Sequence, residues 1–118
     1  MTFLNALLLW SAVHFLGDFA FQNDWMATKK TPSNYNPAKD CAGPWEVLVY
    51  HCATYTATFV IATTIMGNVP NPRAVLTIFT THYVVDACKA RRYLVKTIWL
   101  DQTLHLLTLV PLILLGWL

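Results

Sequence analysis

The stretch "AVHFLGDFAFQ", residues 12–22, is apolar enough to belong to a membrane helix, yet it carries His14, Asp18 and Gln22 at four-residue intervals. That spacing puts all three on one helical face, each a turn from the next. Such a stripe cannot face lipid, so the helix must turn it towards other helices. The device recurs in His51-x-x-x-Tyr55, His82-x-x-x-Asp86-x-x-Lys89 and Asp101-Gln102-x-x-His105, and the set holds every histidine of the chain. With 6 acidic residues in 118 positions, a given histidine has about a one in ten chance of an acid at either four-residue offset, so three of four by chance falls under roughly one in a hundred.

Composition sets the surroundings of these stripes. The chain is 56% hydrophobic and only 12% charged, against about 25% charged in ordinary soluble domains, which points to an integral membrane protein. Apolar runs cover residues 3–21, 45–66 and 98–118, and a shorter one from Ala74 to Cys88 continues into "KARRYLVK"; each approaches the roughly 20 residues that span a bilayer. The expectation is an all-α fold: one transmembrane domain over residues 1–118, an integral membrane four-helix bundle with helices at about 3–26, 44–67, 73–92 and 97–118. Pro44 suits a first helical turn, Gly67 a helix end, and "NVPNP" a tight break. The first segment has no Lys or Arg ahead of it and no A-x-A-like site after it, so it is expected to be retained rather than cleaved. The net charge of +2 argues against a nucleic-acid partner. Cys41, Cys52 and Cys88 are odd in number and lack C-x-x-C spacing, which argues against a disulfide framework or a thiolate zinc site.

Orientation follows from the basic residues. Lys29, Lys30 and Lys39 lie in the first connection and Lys89, Arg91, Arg92 and Lys96 in the third, with only Arg73 on the other side. Seven against one puts those two connections in the cytoplasm and both termini on the non-cytoplasmic side of a multi-pass protein of the inner (cytoplasmic) membrane. Trp25, Trp45 and Trp99 then fall at the cytoplasmic interface and Trp117 at the outer one. In this topology the four histidines lie roughly 10 to 15 Å from the cytoplasmic helix ends, and Asp18, Asp86 and Asp101 roughly 5 to 9 Å. The stripes level up although chain direction alternates, so one cluster is expected in the cytoplasmic half of the bundle.

Ionisable groups in a bilayer cost at least about 2.5 kcal/mol each, which marks them as functional. Imidazoles and carboxylates converging in a bundle core form the ligand set of a divalent transition metal, zinc first and iron or manganese as alternatives. His14, Asp18, His51, His82, Asp86, Asp101 and His105 are the candidate ligands, in a two-metal site or in a mononuclear one where some aspartates orient ligating histidines. The metal-free alternative is an interhelical hydrogen-bond network. With a metal, an activated water makes hydrolysis the leading reaction, and Asp18, Asp86, Gln22 and Lys89 are the candidate catalytic residues. Lys89, Arg91 and Arg92 can receive a phosphate, and Gln22 and Gln102 can orient a carboxylate or a water. Tyr55 is a ligand partner, a proton donor or a packed aromatic, and Gly17 allows close helix approach.

Together, "HFLGDFAFQNDWMA", "YHCATY", "THYVVDACK" and "DQTLHLL" resemble the family of small polytopic bacterial and phage membrane proteins known as domain of unknown function 3307. The resemblance covers nearly the whole chain and implies the membrane fold without an activity. A looser similarity, to membrane-bound proteins classed as metal-dependent hydrolases, implies hydrolysis by analogy of fold alone. Because the loops are too short for a lid, a substrate must arrive from the lipid or from the cytoplasmic mouth, which favours a lipid-like or phosphate-bearing molecule. The rivals are an oligomeric transporter or channel for cations, protons or metal, with association into homo-oligomers, and an envelope interaction protein with the cluster as structural glue.

Overall fold

Four helices close into a ring around the polar stripes. The computed structural model describes residues 1–91 and 95–118, and among these it is all-α, with no strand. The α-helices are α1 (Phe3–Phe15), α2 (Asp24–Lys29), α3 (Pro44–Ile65), α4 (Pro72–Ala90) and α5 (Ile98–Leu114), in a body of 50 × 26 × 22 Å. Helix α3 packs on α4, α4 on α5, α5 on α1 and α1 on α3, while the short α2 leans on α3.

The helix ends explain where the expected boundaries move. The first helix was expected to run from 3 to 26, but α1 passes into a π-helical turn, Leu16–Ala20, and stops. Asn23 then starts α2 afresh: its side chain accepts from Met26 N at 2.8 Å, and such a cap outcompetes continuation of the preceding helix. The last helix was expected to reach residue 118 and instead closes at Leu114, because Gly116 takes a φ of 66° and lets Trp117 N donate to Leu112 O. Gly67, at φ 78°, ends α3 by the same pattern, with Asn68 N donating to Thr63 O. Pro44 and Pro72 occupy first-turn positions of α3 and α4. The expected third helix ended at Arg92, which lies outside the described residues.

Polarity runs inside out. Asp86 is 1% exposed while Ile65 is 81% and Leu76 68% exposed, with Leu4, Leu8, Leu107 and Leu114 also on the outer surface. Among the described residues, two stretches, Phe3–Ala20 and Pro44–Ile65, are long and apolar enough to cross a membrane; Ile98–Leu114 is apolar but shorter. At the end of the bundle that holds the chain termini, Arg73 sits over the Trp117 ring at 5.8 Å, and at the other end Arg91 sits over Trp45 at 4.2 Å. Arg91 is thus spent on an indole rather than on the polar cluster. In the first connection Lys29 pairs with Asp40 at 2.8 Å, and its ammonium holds the Asp40 carboxyl below the usual range.

One cluster of the core forms an apolar layer, in which Trp10, Phe59, Ile78, Leu109 and Leu112 pack together with Ala6 and Val13. Trp10 and Phe59 stack at 5.7 Å. Each of Trp10, Phe59, Ile78 and Leu109 stands four residues from a stripe residue (His14, Tyr55, His82 and His105), so the apolar layer and the polar one are adjacent floors of the same ring.

Gly17, in the π turn, packs directly against α3. A Cβ there would lie 2.8 Å from Thr58 Oγ1 and 2.9 Å from the Tyr55 ring, both buried. Gly17→Ala is therefore expected to destabilise the protein by about 1–3 kcal/mol through overpacking. Thermal denaturation in detergent reads this; an unchanged midpoint would mean that the helices are not this close.

Candidate metal centre

The stripes meet in floors one turn apart. Next to the apolar layer, His14, Tyr55, His82 and His105 share a level: His82 stacks on Tyr55 with centroids 3.6 Å apart and on His105 at 4.3 Å. The next floor holds Asp18, His51, Asp86 and Asp101. Helix α3 is thus one turn out of step with the expected levelling of the histidines, because Tyr55 takes the imidazole level and His51 falls among the carboxylates. His14, His51, His82, Asp86, Asp101 and His105 are each at most 1% exposed.

At the centre, four side chains from three elements point at one spot. His51 Nε2 lies 3.0 Å from His82 Nε2, 3.3 Å from Asp18 Oδ1 and 3.3 Å from Asp86 Oδ2. His82 Nε2 lies 3.6 Å from Asp18 Oδ1 and 4.0 Å from Asp86 Oδ2. Bonds of about 2.0–2.2 Å to a tetrahedral ion imply ligand-to-ligand edges of about 3.3–3.6 Å, and the five edges scatter around that value. The donor set His2Asp2 therefore fits a divalent ion without rearrangement of the helices. A second group, Asp18, Asp101 and His105, also has ligand atoms close enough to share an ion. Asp86 joins the two, with Oδ2 towards His51 and Oδ1 3.3 Å from His105 Nε2.

The π turn presents Asp18 to this centre. An extra residue in the turn re-aims the side chain relative to regular helix, and Asp18 faces two groups at once: Oδ1 meets the paired histidines and Oδ2 accepts from Gln102 Nε2 at 2.7 Å. Gln102 also donates to Asp101 Oδ2 at 3.1 Å and accepts, through Oε1, from His14 Nε2 at 2.7 Å. His14 Nδ1 then accepts from Tyr55 OH at 2.8 Å. This chain of bonds assigns His14 its neutral tautomer and uses both of its nitrogens, so His14 stands beside the ligand groups and orients Gln102. Gln102 is the residue that holds Asp18 and Asp101 together. Gln22 sits one turn below Asp18, its Nε2 donating to Asp18 O at 3.3 Å.

Two lysines cap the carboxylate floor. Lys89, a candidate from its spacing, pairs with Asp101 rather than with Asp86 three residues before it. Lys30 was expected only to set topology, yet it is buried and its Nζ lies 2.5 Å from Asp86 Oδ2. Its only sequence signal is that it follows α2; the break at Phe21–Asn23, which folds α2 back beneath the bundle, is what brings it home. Among the described residues, no cysteine belongs to either ligand group.

The two outer links of the chain should differ in weight. Gln102→Leu leaves His14 Nε2 and Asp18 Oδ2 without their partner and takes one of two donors from Asp101 Oδ2, and is expected to cost about 2–4 kcal/mol, whereas Tyr55→Phe removes one hydrogen bond and is expected to cost about 0.5–1.5 kcal/mol. Equal midpoints for these two variants in detergent would overturn the assignment of Gln102 as the shared donor.

No curated protein and no solved structure matches the chain. A family profile does, over residues 3–117, in agreement with the resemblance carried by the four motifs. The chain belongs to the family described as protein of unknown function (DUF3307).

Proposed function

We propose that the chain is a four-span inner-membrane protein, with α1, α3, α4 and α5 crossing the bilayer, and that its His51, His82, Asp18 and Asp86 hold a divalent metal serving hydrolysis of a lipid-like substrate. The observation that carries this reading is the set of four ligand atoms converging at near-tetrahedral edges in a buried core. The membrane placement is supported by the inside-out polarity: apolar side chains occupy the outer surface where lipid would be, and every histidine is turned inward. At about 1.5 Å per residue, the 19 residues of α4 and the 17 of α5 cross most of a roughly 30 Å hydrocarbon layer, and the chain stays apolar beyond α5 to Leu118.

A divalent ion held here by His51, His82, Asp18 and Asp86 would supply Lewis acidity and a bound water of lowered pKa. The protein's part is positional. Gln102 fixes Asp18, and the stacked Tyr55 ring fixes His82, whose Nδ1 has no acceptor among the described residues. Asp101 and His105, 3.5 Å apart and beside Asp86, are placed to take up and release a proton or to hold a second ion. The apolar floor of Trp10, Phe59, Ile78, Leu109 and Leu112 closes the bundle beyond Tyr55, so the polar chain opens at one end. A site open at one end suits turnover; conduction needs a path through both.

Zinc is the favoured ion because two imidazoles and two carboxylates are borderline donors and zinc expands readily from four ligands to five, which would leave room for a water. Protein purified in detergent without chelator is expected to carry about one zinc per chain, and His51→Ala and His82→Ala each to lose most of it, as metal analysis would read. A wild type free of transition metal would refute the proposal. With metal present, flux across proteoliposomes without turnover of lipid esters would reassign the site to transport.

A further inference from the structure

Beneath the carboxylate floor lies a cavity of about 310 Å3, lined by Gln22, Lys30, Thr31, Ser33, Asp86 and Lys89, among others. Asp86 belongs both to this cavity and to the ligand group, so the space abuts the candidate metal position. Two ammonium groups line it, with two hydroxyls, and Gln22 Oε1 lies sequestered without a donor among the described residues. The volume falls at the lower end of small-ligand sites.

Charge decides what fits. Asp18, Asp86 and Asp101 bring three negative charges and Lys30 and Lys89 two positive ones, so with neutral imidazoles the cluster stands at one net negative charge. A divalent ion turns that into one net positive charge and competes with Lys30 for Asp86 Oδ2, leaving an ammonium facing a cationic centre across a small polar cavity. A buried excess of positive charge calls for an anion with several acceptor oxygens.

We infer that this cavity is a phosphate subsite in which Lys30 and Lys89 take the non-bridging oxygens of a phosphate monoester next to the metal. The inference rests on the metal reading and names the substrate class of that site. Lys30 then alternates between Asp86 in the metal-free protein and phosphate in the loaded one, while Lys89, whose side chain is 38% exposed, guides the anion in from the mouth.

The test is calorimetric titration of zinc-loaded and chelator-treated protein with inorganic phosphate, and in parallel with detergent micelles containing phosphatidate or phosphatidylcholine. Binding of phosphate to the loaded protein is expected, weaker by at least about tenfold after chelation and by about tenfold in Lys30→Met and in Lys89→Met, with zinc content kept and with Lys89→Arg close to wild type. Should Lys30→Met fail to fold, Lys89→Met, at the more exposed position, carries the test. Phosphatidate bound more tightly than inorganic phosphate assigns a lipid headgroup; equal binding assigns the phosphate group alone. Zinc-loaded protein that binds neither, or Lys89→Met that binds like wild type, overturns the phosphate subsite and leaves the metal site standing, whereas a wild type that takes no zinc overturns both.

Discussion

Asp86 is a carboxylate on a helix whose neighbours bury it almost completely, and three side chains from other parts of the chain compensate its charge. Lys30 reaches it from just after α2, His51 from α3 and His105 from α5. An unpaired charge in such a place is strongly destabilising, and removal of a single partner leaves the cost behind. The break after Ala20, the return of α2 beneath the bundle and the ring order of the helices all follow from the need to bring those partners to one oxygen pair.

The same constraint explains the floors. Because side chains four residues apart repeat along one face, a helix that offers Asp at one turn offers His or Tyr at the next and an apolar residue at the one after. Ring closure aligns these turns across four helices, so that apolar, imidazole, carboxylate and ammonium levels succeed one another along the axis. The gradient gives the molecule an apolar end and a polar end, with the first connection lying beneath the polar one around a small cavity. An interface between wet and dry chemistry is thereby built from helical periodicity alone.

The stripes were legible because period four is a local property: His14 with Asp18, His82 with Asp86 and Asp101 with His105 declare themselves in sequence, and so does the all-α class. What sequence could not show depends on three-dimensional return. Lys30 acquires its role only when the chain turns back at Asn23, a cap that the string "FQNDW" contained but that the apolar run ending at Phe21 outweighed. The place of Tyr55 level with the histidines, and of His51 a turn away, depends on the relative slide of α3, which local spacing does not specify. That His14 serves as a donor to Gln102 could not be read from types alone, since a histidine on a polar stripe reads equally as ligand or as support. Gly116 was visible as a glycine near an end, and its effect on α5 was missed because hydropathy continues past it.

The π turn at Leu16–Ala20 makes chain length as much a part of the site as chemistry. It holds one residue more than a regular turn, so excising Leu16 or Gly17 would restore the ordinary pitch and rotate Asp18 by about 100° relative to Trp10 and His14. Trp10 would keep its slot in the apolar floor only at the expense of Asp18, or the reverse. The phase between the two halves of this helix is a counted quantity, and substitutions that keep the count leave it intact, whereas a single in-frame codon loss does not.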